Sequence, residues 1–276
     1  MHPEIFHIGL VTIKAYGLAL ALSFFLGIIL TTRRSRKFGI DANRVIDLSL
    51  VILVAAVAGS RFFYVIYHLE EFEGHYSDIL NPFQSSGEIG IAGLSMMGGF
   101  VLVIISSMFF IKLWKMPFWE TLDAFAPAFL LGLGISRIGC FLNGCCYGDP
   151  TDWSWGIVFP QDCAAGWHFP GIPLYPAQLM SSAGGFILFG VLLWLERRQR
   201  FAGFSFFMMG ALYSALRFTI DFFRYYEPSM VFANIGGIDF SNNQALTFLI
   251  FLISVTMLIL IPKLRSRRER RETRAM

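Results

Sequence analysis

Seven long apolar runs constrain the fold of this chain more than any other feature of its sequence. They occupy residues 13–31, 45–66, 89–114, 122–141, 177–195, 203–223 and 245–261. Each run is close to the 17–25 residues that a helix needs to cross a bilayer. Backbone N–H and C=O groups in lipid must be satisfied within the segment, which a helix does. The sequence therefore predicts an all-α, polytopic membrane protein with seven transmembrane helices.

The composition agrees with a membrane-embedded chain. Of its residues, 55% are hydrophobic and 15% are charged, whereas a soluble domain carries about 25% charged residues. We predict a single membrane-embedded domain over residues 1–276, with the lipid bilayer as a partner. No basic stretch is interleaved with aromatic residues on a soluble module, so we expect no nucleic-acid partner.

The loops between the runs predict the orientation in the membrane. Basic clusters follow the first, fifth and seventh runs, at residues 33–37, 196–200 and 263–274. The opposite side carries an acidic stretch at 70–73 and a Cys/Trp/Pro-rich outer loop at 142–175. The positive-inside rule then places the N-terminus outside and the C-terminus in the cytoplasm, with 262–276 as a basic cytoplasmic tail. The first twelve residues lack a basic n-region, so we expect no separate cleavable signal peptide.

Four glycines cluster where the third run begins, at Gly90, Gly93, Gly98 and Gly99. Each glycine in a helix costs about 1 kcal/mol relative to alanine. Two interpretations are open. One is a re-entrant or unwound segment that lines a polar cavity, and the other is close packing of two helices through small residues.

Four arginines lie inside the apolar runs or at their ends: Arg61, Arg137, Arg217 and Arg224. A charged side chain in the membrane costs about 2.5–3.5 kcal/mol on insertion scales, so it normally has a partner or a task. A guanidinium group is best matched by a carboxylate or a phosphate. Since the runs contain few carboxylates, the surplus positive charge predicts an anionic ligand, and a phospholipid headgroup is the obvious one.

A structural interpretation of the same residues is also open. On a continuous helix Tyr213, Arg217, Asp221 and Arg224 stand at i, i+4, i+8 and i+11 and share one face. They could form a buried salt-bridge ladder in which Asp221 neutralises Arg217 and Arg224, or Arg224 could snorkel to the interface. For Arg61, Asp221 and Arg224 taken singly the structural interpretation is favoured. The four arginines together favour a ligand.

Three other polar residues are candidates for the same site. A buried hydroxyl of Tyr16 would need a partner, although Tyr16 also fits an interfacial aromatic belt. Asn143 could bond a ligand or cap the turn before Gly144. Gln178 could point into the cavity or bond a neighbouring helix.

The four cysteines lie in or beside the outer loop, which holds Cys145, Cys146 and Cys163, with Cys140 just before it. A disulfide from Cys163 to Cys145 or Cys146 is one possibility, and small buried packing groups are another. We predict no metal site, because His168 is the nearby histidine and the spacing fits no common zinc pattern. A membrane thiol oxidoreductase that uses the vicinal pair is an alternative function, but a CxxC motif is lacking.

The order and spacing of several short motifs resemble the prolipoprotein diacylglyceryl transferase family over nearly the whole chain. The motifs are Ala15-Tyr16-Gly17 and the segments at 59–64, 93–99, 132–144, 175–178, 216–224 and 243–244. Members of that family are seven-span bacterial enzymes that begin lipoprotein maturation. The resemblance implies transfer of the diacylglyceryl group of phosphatidylglycerol to the lipobox cysteine thiol of a preprolipoprotein signal peptide, with release of glycerol 1-phosphate. It implies no cofactor and a bacterial cytoplasmic (inner) membrane enzyme whose site faces the outer leaflet.

The resemblance also implies roles for individual residues. Arg137 would bind the phosphate, Arg217 would help to hold the headgroup, and Tyr16 and Tyr213 would belong to the pocket. The expected catalytic residues are therefore Arg137, Arg217 and Tyr16. The expected phospholipid-binding residues are Arg137, Arg61, Asn143, Gly144, Tyr213, Gln178 and Arg224, with Asp221 as a structural ion-pair partner.

The chain departs from the family pattern at four positions. Many members have a histidine, proposed as a base, where this chain has Met97, and methionine cannot accept a proton. Cys140 and Cys145 replace the usual asparagine and acidic residue, and Tyr175 replaces a frequent histidine. A catalytically lapsed relative that binds phospholipid is therefore an alternative. A cavity rich in arginine would lower the pKa of the substrate thiol from about 8.5 and so replace part of the missing base.

Overall fold

A computed structural model describes residues 4–8, 11–72, 79, 95–198, 201–235 and 238–275. Its helices are α1 (Ala15–Ser35), α2 (Ala42–Tyr67), α3 (Met96–Leu113), α4 (Phe118–Asn143), α5 (Ala164–His168), α6 (Ala177–Leu195), α7 (Phe204–Ile220) and α8 (Asn242–Ala275). Its short strands are β1 (Glu4–Ile8), β2 (Val11–Lys14), β3 (Ile157–Val158), β4 (Pro173–Leu174), β5 (Val231–Ile235) and β6 (Ile238–Ser241).

Seven of these helices are long and apolar enough to cross a membrane: α1, α2, α3, α4, α6, α7 and α8. The sequence-based prediction of a seven-helix membrane protein is confirmed. Each helix corresponds to one predicted run, and the described part of the third begins at Met96. The chain forms two compact units, one of residues 7–12 and 32–121, and one of residues 1–6, 13–31 and 122–276.

In the first unit, α2 and α3 pack closely through glycines. A Cβ atom on Gly59 would lie 2.6 Å from Cβ of Leu102, and one on Gly99 would lie 2.9 Å from the Ala56 carbonyl oxygen. A Cβ on Gly98 would overlap the carbonyl oxygen of Gly59. For Gly98 and Gly99 the structure therefore confirms the interpretation of close packing through small residues. The other two glycines of that cluster, Gly90 and Gly93, lie outside the described residues.

In the second unit, α4 packs against α1 and α6. A Cβ on Gly139 of α4 would lie 2.7 Å from Cβ of Ala19 in α1. A Cβ on Gly185 of α6 would lie 2.8 Å from the backbone nitrogen of Gly134, and the Ser182 hydroxyl donates a 2.7 Å hydrogen bond to the Gly134 carbonyl. Small residues thus let three helix backbones approach each other around one half of α4.

The start of α7 is capped by a buried carboxylate from α4. Asp123 is 0% exposed, and its two oxygens accept hydrogen bonds from the backbone nitrogens of Gly203 (2.7 Å) and Phe206 (2.9 Å). The first N–H groups of a helix have no partner within the helix, so this contact satisfies them and joins α7 to α4. Helix α7 also packs against α6 and α8.

Residues 144–175 form a small folded cap on the second unit. Strands β3 and β4 pair antiparallel, with Ile157 opposite Leu174. A core of Phe159, Cys163, Ala165 and Leu174 is buried within it. The backbone nitrogen of Asp149 donates to the Phe223 carbonyl at 3.0 Å, which fastens the cap to the end of α7.

Candidate functional site

A closed triangle of one ion pair and two hydrogen bonds lies at the end of α7. Nη1 of Arg217 lies 2.9 Å from Oδ1 of Asp221, one helical turn further along. Nη2 of Arg217 donates a 2.9 Å hydrogen bond to the Tyr226 hydroxyl, and that hydroxyl donates a 2.8 Å bond to Oδ1 of Asp221. Asp221 is only 4% exposed. These charge-assisted bonds hold the Arg217 guanidinium in one orientation.

Tyr226 connects this triangle to two further residues. Its hydroxyl accepts a 3.3 Å hydrogen bond from Nδ2 of Asn243, at the start of α8, and the Arg224 guanidinium lies 5.3 Å from the centre of its ring. Burial raises the pKa of Tyr226, so the hydroxyl stays protonated and able to donate. Sequence reasoning missed Tyr226, because it follows the helix in an irregular segment where spacing predicts no contact. The one signal was its place two residues after Arg224.

Arg137 reaches the same region from α4. It lines a small cavity with residues of α4, α6 and α7, namely Leu133, Ser181, Tyr213, Leu216, Arg217 and Ile220. On α7, Tyr213 and Arg217 are four residues apart and therefore share a face. The structure thus brings together three of the predicted site residues: Arg137, Tyr213 and Arg217.

Positive charge exceeds negative charge around this cavity. Arg137, Arg217 and Arg224 all interact electrostatically with Asp221. Among the described residues, neither Arg137 nor Arg224 has a carboxylate within 4 Å, and Nε of Arg224 is buried without a hydrogen-bond partner. Three guanidinium groups thus surround one carboxylate, so positive charge exceeds negative charge here. Since burying such charge is costly, the arrangement is suited to an anion.

The structure corrects the predicted helical ladder at Arg224. Helix α7 ends at Ile220 and is followed by a 3₁₀ turn over Asp221–Phe223, and the Arg224 backbone is extended, with φ −97° and ψ 139°. The backbone of Arg224 forms an antiparallel β-bridge with the backbone of Gly148 in the cap. The prediction that Arg224 lies on the same helix face as Tyr213, at position i+11, was therefore wrong. The Arg224 side chain comes near Asp221 and the Tyr226 ring because the cap holds the backbone there.

Gly144 and Gln178 shape the turn that follows α4. Gly144 has a left-handed backbone (φ +67°), and Cys163 packs directly against its Cα, which leaves no room for a side chain. Gln178 is 1% exposed, and its Nε2 donates a 3.0 Å hydrogen bond to the Cys145 carbonyl. Asn143 is the last residue of α4, and its side chain interacts electrostatically with the Cys145 thiol. Together these residues hold the turn beside Arg137.

Tyr16 lies beside the same part of α4. A Cβ on Gly139 would lie 3.3 Å from the Cα of Tyr16, and the Tyr16 side chain is 40% exposed. Its phenol interacts electrostatically with Arg137. Tyr16 therefore stands near the arginine with part of its ring accessible.

Arg61 belongs to the first unit. It is 6% exposed. Its Nε donates a 2.9 Å hydrogen bond to the Ile79 carbonyl, and its guanidinium lies 5.0 Å from the centre of the Phe72 ring. These contacts satisfy Arg61 locally. Its role in phospholipid binding stays a prediction.

All four cysteines are free thiols. Cys163 is buried in the core of the cap, and its Sγ donates to the Pro160 carbonyl at 3.1 Å. The possible disulfide from Cys163 is therefore not formed, and Cys163 acts as a small packing group.

The other three thiols form a cluster beside Arg137. The sulfur atoms of Cys140, Cys145 and Cys146 lie within 4.8 Å of one another. Nη1 of Arg137 donates to Sγ of Cys140 at 3.9 Å. Hydrogen bonding with the Cys140 and Cys145 thiols lowers the pKa of Cys146, and the positive charges of Arg224 and Arg137 lower it further. Sequence spacing did not predict this cluster.

Comparisons with known proteins agree with the resemblance seen in the sequence. A family model described as prolipoprotein diacylglyceryl transferase matches residues 3–260. A phosphatidylglycerol–prolipoprotein diacylglyceryl transferase of Geobacter sulfurreducens is 31% identical over 265 residues, which cover 95% of each chain. A protein of the same name from Thermosynechococcus vestitus is 31% identical over 219 residues, 79% of each chain. One from Clostridium botulinum is 29% identical over 224 residues, 81% of this chain and 87% of the other. This chain therefore belongs to the prolipoprotein diacylglyceryl transferase family.

Proposed function

We propose that this protein transfers the diacylglyceryl group of phosphatidylglycerol to the lipobox cysteine thiol of preprolipoproteins and releases glycerol 1-phosphate. The names of its relatives state the two substrates. The observation that carries the proposal is the group of three guanidiniums around one carboxylate, where α4, α6 and α7 meet. That surplus of positive charge matches the phosphate of the lipid.

The reaction is a displacement at carbon. The thiolate of the incoming peptide attacks the glyceryl carbon, a C–S bond forms, and the C–O bond to phosphate breaks. The departing phosphate oxygen keeps the electron pair, so negative charge develops on the leaving group. Donors already aimed at that position stabilise the transition state more than the ground state.

Arg137 and Arg217 are assigned different tasks by their partners. The triangle with Asp221 and Tyr226 fixes Arg217 and partly neutralises it. Arg137 has no carboxylate within 4 Å among the described residues, so its charge is available to the phosphate. We assign phosphate binding to Arg137 and orientation of the headgroup to Arg217. Arg224, with its buried Nε, is the third donor.

Five of the remaining candidates belong to the same compact unit as these arginines. Tyr213 lines the cavity, and the phenol of Tyr16 is close enough to Arg137 to interact with its charge. Asn143, Gly144 and Gln178 hold the turn in place, which keeps the end of α4 in position. We retain Arg61 as a phospholipid contact on the evidence of the sequence motif.

The substrate thiol must lose its proton, and Met97 cannot accept it. We propose that the arginine-rich cavity itself lowers the pKa of that thiol from about 8.5, so that the thiolate forms without a dedicated base. The rate should then rise with pH through the pKa of the substrate thiol. A pH profile that is flat between pH 6 and pH 9 would contradict this part of the proposal.

We also propose that the site opens towards the outer leaflet of the bacterial cytoplasmic membrane, with the N-terminus outside and the C-terminus in the cytoplasm. The support is the basic residues at 33–37 and 263–274, which follow the first and seventh runs. A C-terminal alkaline phosphatase fusion should be inactive and a C-terminal fluorescent-protein fusion bright. The reverse pattern would overturn the orientation.

The activity is tested with the purified protein in nanodiscs that contain phosphatidylglycerol, using a signal peptide with a lipobox cysteine. The readouts are the peptide mass and the release of glycerol phosphate. We expect a diacylglyceryl adduct with the wild-type protein and with Arg197→Ala, an exposed arginine after α6, but not with Arg137→Ala. Lipid binding without an adduct in the wild-type protein would overturn the transferase and indicate a lapsed lipid-binding relative.

A further inference from the structure

The three clustered thiols are outside the chemistry proposed above, and their arrangement suggests a separate use. Cys140 is buried, Cys145 and Cys146 are half-buried, and all three sulfur atoms lie within 4.8 Å of one another. Each of these sulfurs offers one ligand atom, so the three could hold a single ion. Cys163 is outside this cluster and is buried in the apolar core of the cap. Its sulfur donates to the Pro160 carbonyl, as that of Cys145 does to the Cys140 carbonyl at 3.7 Å.

The convergence depends on an unusual backbone. Adjacent side chains in an extended chain point to opposite sides, so Cys145 and Cys146 would normally diverge. Cys146 has a left-handed backbone (φ +59°), a conformation that is unfavourable for a residue with a side chain. Two contacts hold the turn at Cys145: its nitrogen donates to the Cys140 carbonyl at 3.1 Å, and its carbonyl accepts from Gln178 at 3.0 Å. The fold thus stabilises a strained turn that brings the three sulfurs together.

The spacing is close to that of a metal–thiolate site. With a zinc–sulfur distance of about 2.3 Å, three sulfurs around one ion stand about 4 Å apart. The cluster would need to contract by less than about 1 Å, a movement that side-chain rotation supplies. Thiolates select soft ions, Cu⁺ and Zn²⁺ above all.

The surroundings also suit a charged metal–thiolate complex. Three thiolates around Zn²⁺ or Cu⁺ carry a net negative charge. Two arginines, Arg137 and Arg224, lie near enough to Cys146 to interact with it electrostatically, and Nη1 of Arg137 already donates to Sγ of Cys140. Donors to the sulfur ligands are the usual outer partners of such sites.

We propose that Cys140, Cys145 and Cys146 form a trithiolate site for one soft, closed-shell metal ion, Zn²⁺ or Cu⁺. The site goes beyond the transferase reaction and does not depend on it, although Arg137 and Arg224 also belong to the proposed phosphate site. An open coordination position remains on an ion held by three protein ligands.

The test uses the full chain, purified in detergent with a reductant and stripped of metal by a chelator. Zn²⁺ and Cu⁺ are titrated separately against chromophoric competitors, and Co²⁺ serves as a spectroscopic substitute for Zn²⁺. We expect one ion per chain and, with Co²⁺, a sulfur-to-metal charge-transfer band in the near ultraviolet. The metal of the site is the ion that the protein retains in the presence of its competitor.

Cys140→Ser, Cys145→Ser and Cys146→Ser should each weaken binding at least tenfold, whereas the matched control Cys163→Ala should bind as the wild type does. A measurement without variants accompanies them: the bound ion should protect Cys140, Cys145 and Cys146 of the wild-type protein from alkylation, mapped by mass spectrometry, and leave Cys163 unaffected. Three results would each overturn the site. They are a lack of stoichiometric binding, binding that persists in all three variants, and a disulfide among the three sulfurs that persists in the reductant.

Discussion

The Tyr226 hydroxyl lies 2.9 Å from Nη2 of Arg217, although the two residues are separated by the end of a spanning helix, a 3₁₀ turn and a stretch of extended chain. The same hydroxyl donates to Asp221. Tyr226 therefore completes an ion pair that the i,i+4 spacing of Arg217 and Asp221 only begins. It sets the orientation of a guanidinium that we assign to the lipid headgroup.

Tyr226→Phe should destabilise the protein and slow transfer. The substitution keeps the ring beneath Arg224 and removes the hydroxyl, so Nη2 of Arg217 loses its acceptor and Oδ1 of Asp221 keeps only the ion pair with Arg217. Hydrogen bonds to charged groups contribute about 1.5–3 kcal/mol, so we expect a fall of several degrees in the thermal unfolding midpoint. The control is Tyr67→Phe, which alters a side chain that is 72% exposed. Equal midpoints for the two variants would contradict the role of the hydroxyl.

Two substitutions of Arg137 should distinguish the contribution of its positive charge to transfer from that of its planar guanidinium. Loss of one preorganised donor to developing charge lowers kcat by about 10²–10³-fold, so Arg137→Ala should lose at least that much transfer activity. Arg137→Lys restores the charge without the planar fork, and should recover only part of the loss. Initial rates of peptide modification at saturating phosphatidylglycerol measure both variants. If Arg137→Lys were as active as the wild type, a bidentate contact to phosphate would be excluded.

Gly98→Ala should weaken the packing of α2 on α3. The added methyl group would lie 2.6 Å from Cγ of Phe63 and overlap the Gly59 backbone, so the helices must separate. Overpacking of this kind costs about 1–3 kcal/mol. Gly190→Ala in α6 is the matched control, because its Cβ would meet nothing within 4 Å, and alanine favours a helix. Thermal unfolding in detergent should show a lower midpoint for Gly98→Ala and an unchanged or higher one for Gly190→Ala.

Asp149→Asn should change how the stability of the protein depends on pH. Burial raises the pKa of Asp149 in the cap, and the charge of Asp239 raises it further. Between the unfolded pKa, about 3.9, and the higher folded pKa, the folded protein binds more protons than the unfolded chain. The stability of the wild type therefore falls as pH rises through that window.

Asparagine carries no charge, so the stability of Asp149→Asn should not fall with rising pH on account of this residue. The variant and the wild type should differ least well below pH 4, and the variant should become the more stable of the two as pH rises to neutrality. Unfolding midpoints from pH 3.5 to pH 7.5 give the comparison. Asp152→Asn, a more exposed carboxylate of the same cap, serves as the control. A difference between Asp149→Asn and the wild type that shrinks as pH rises would have the wrong sign.

The spans and the main charged residues of the site were predictable from the sequence, because both depend on local composition. Apolar runs of bilayer length predict membrane-spanning helices from local composition alone. An arginine inside such a run is costly, which predicts that it has a partner or a task. The seven spans, the ion pair of Arg217 with Asp221 and the family were all accessible in this way. For the glycine cluster of the third run the sequence left two interpretations open, and close packing of helices, as seen for Gly98 against α2, was one of them.

The tertiary structure decided the features that depend on contacts between distant segments. The cap holds Arg224 near Asp221 after α7 has ended, so helical spacing gave the wrong path for it. Tyr226 joins the network through an irregular segment that has no periodicity to interpret. The sulfurs of Cys140, Cys145 and Cys146 converge because Cys146 adopts a left-handed backbone, which the Gln178 contact to the turn helps to stabilise. Local sequence patterns specify helices and their charges, whereas long-range hydrogen bonds and backbone strain determine which side chains meet.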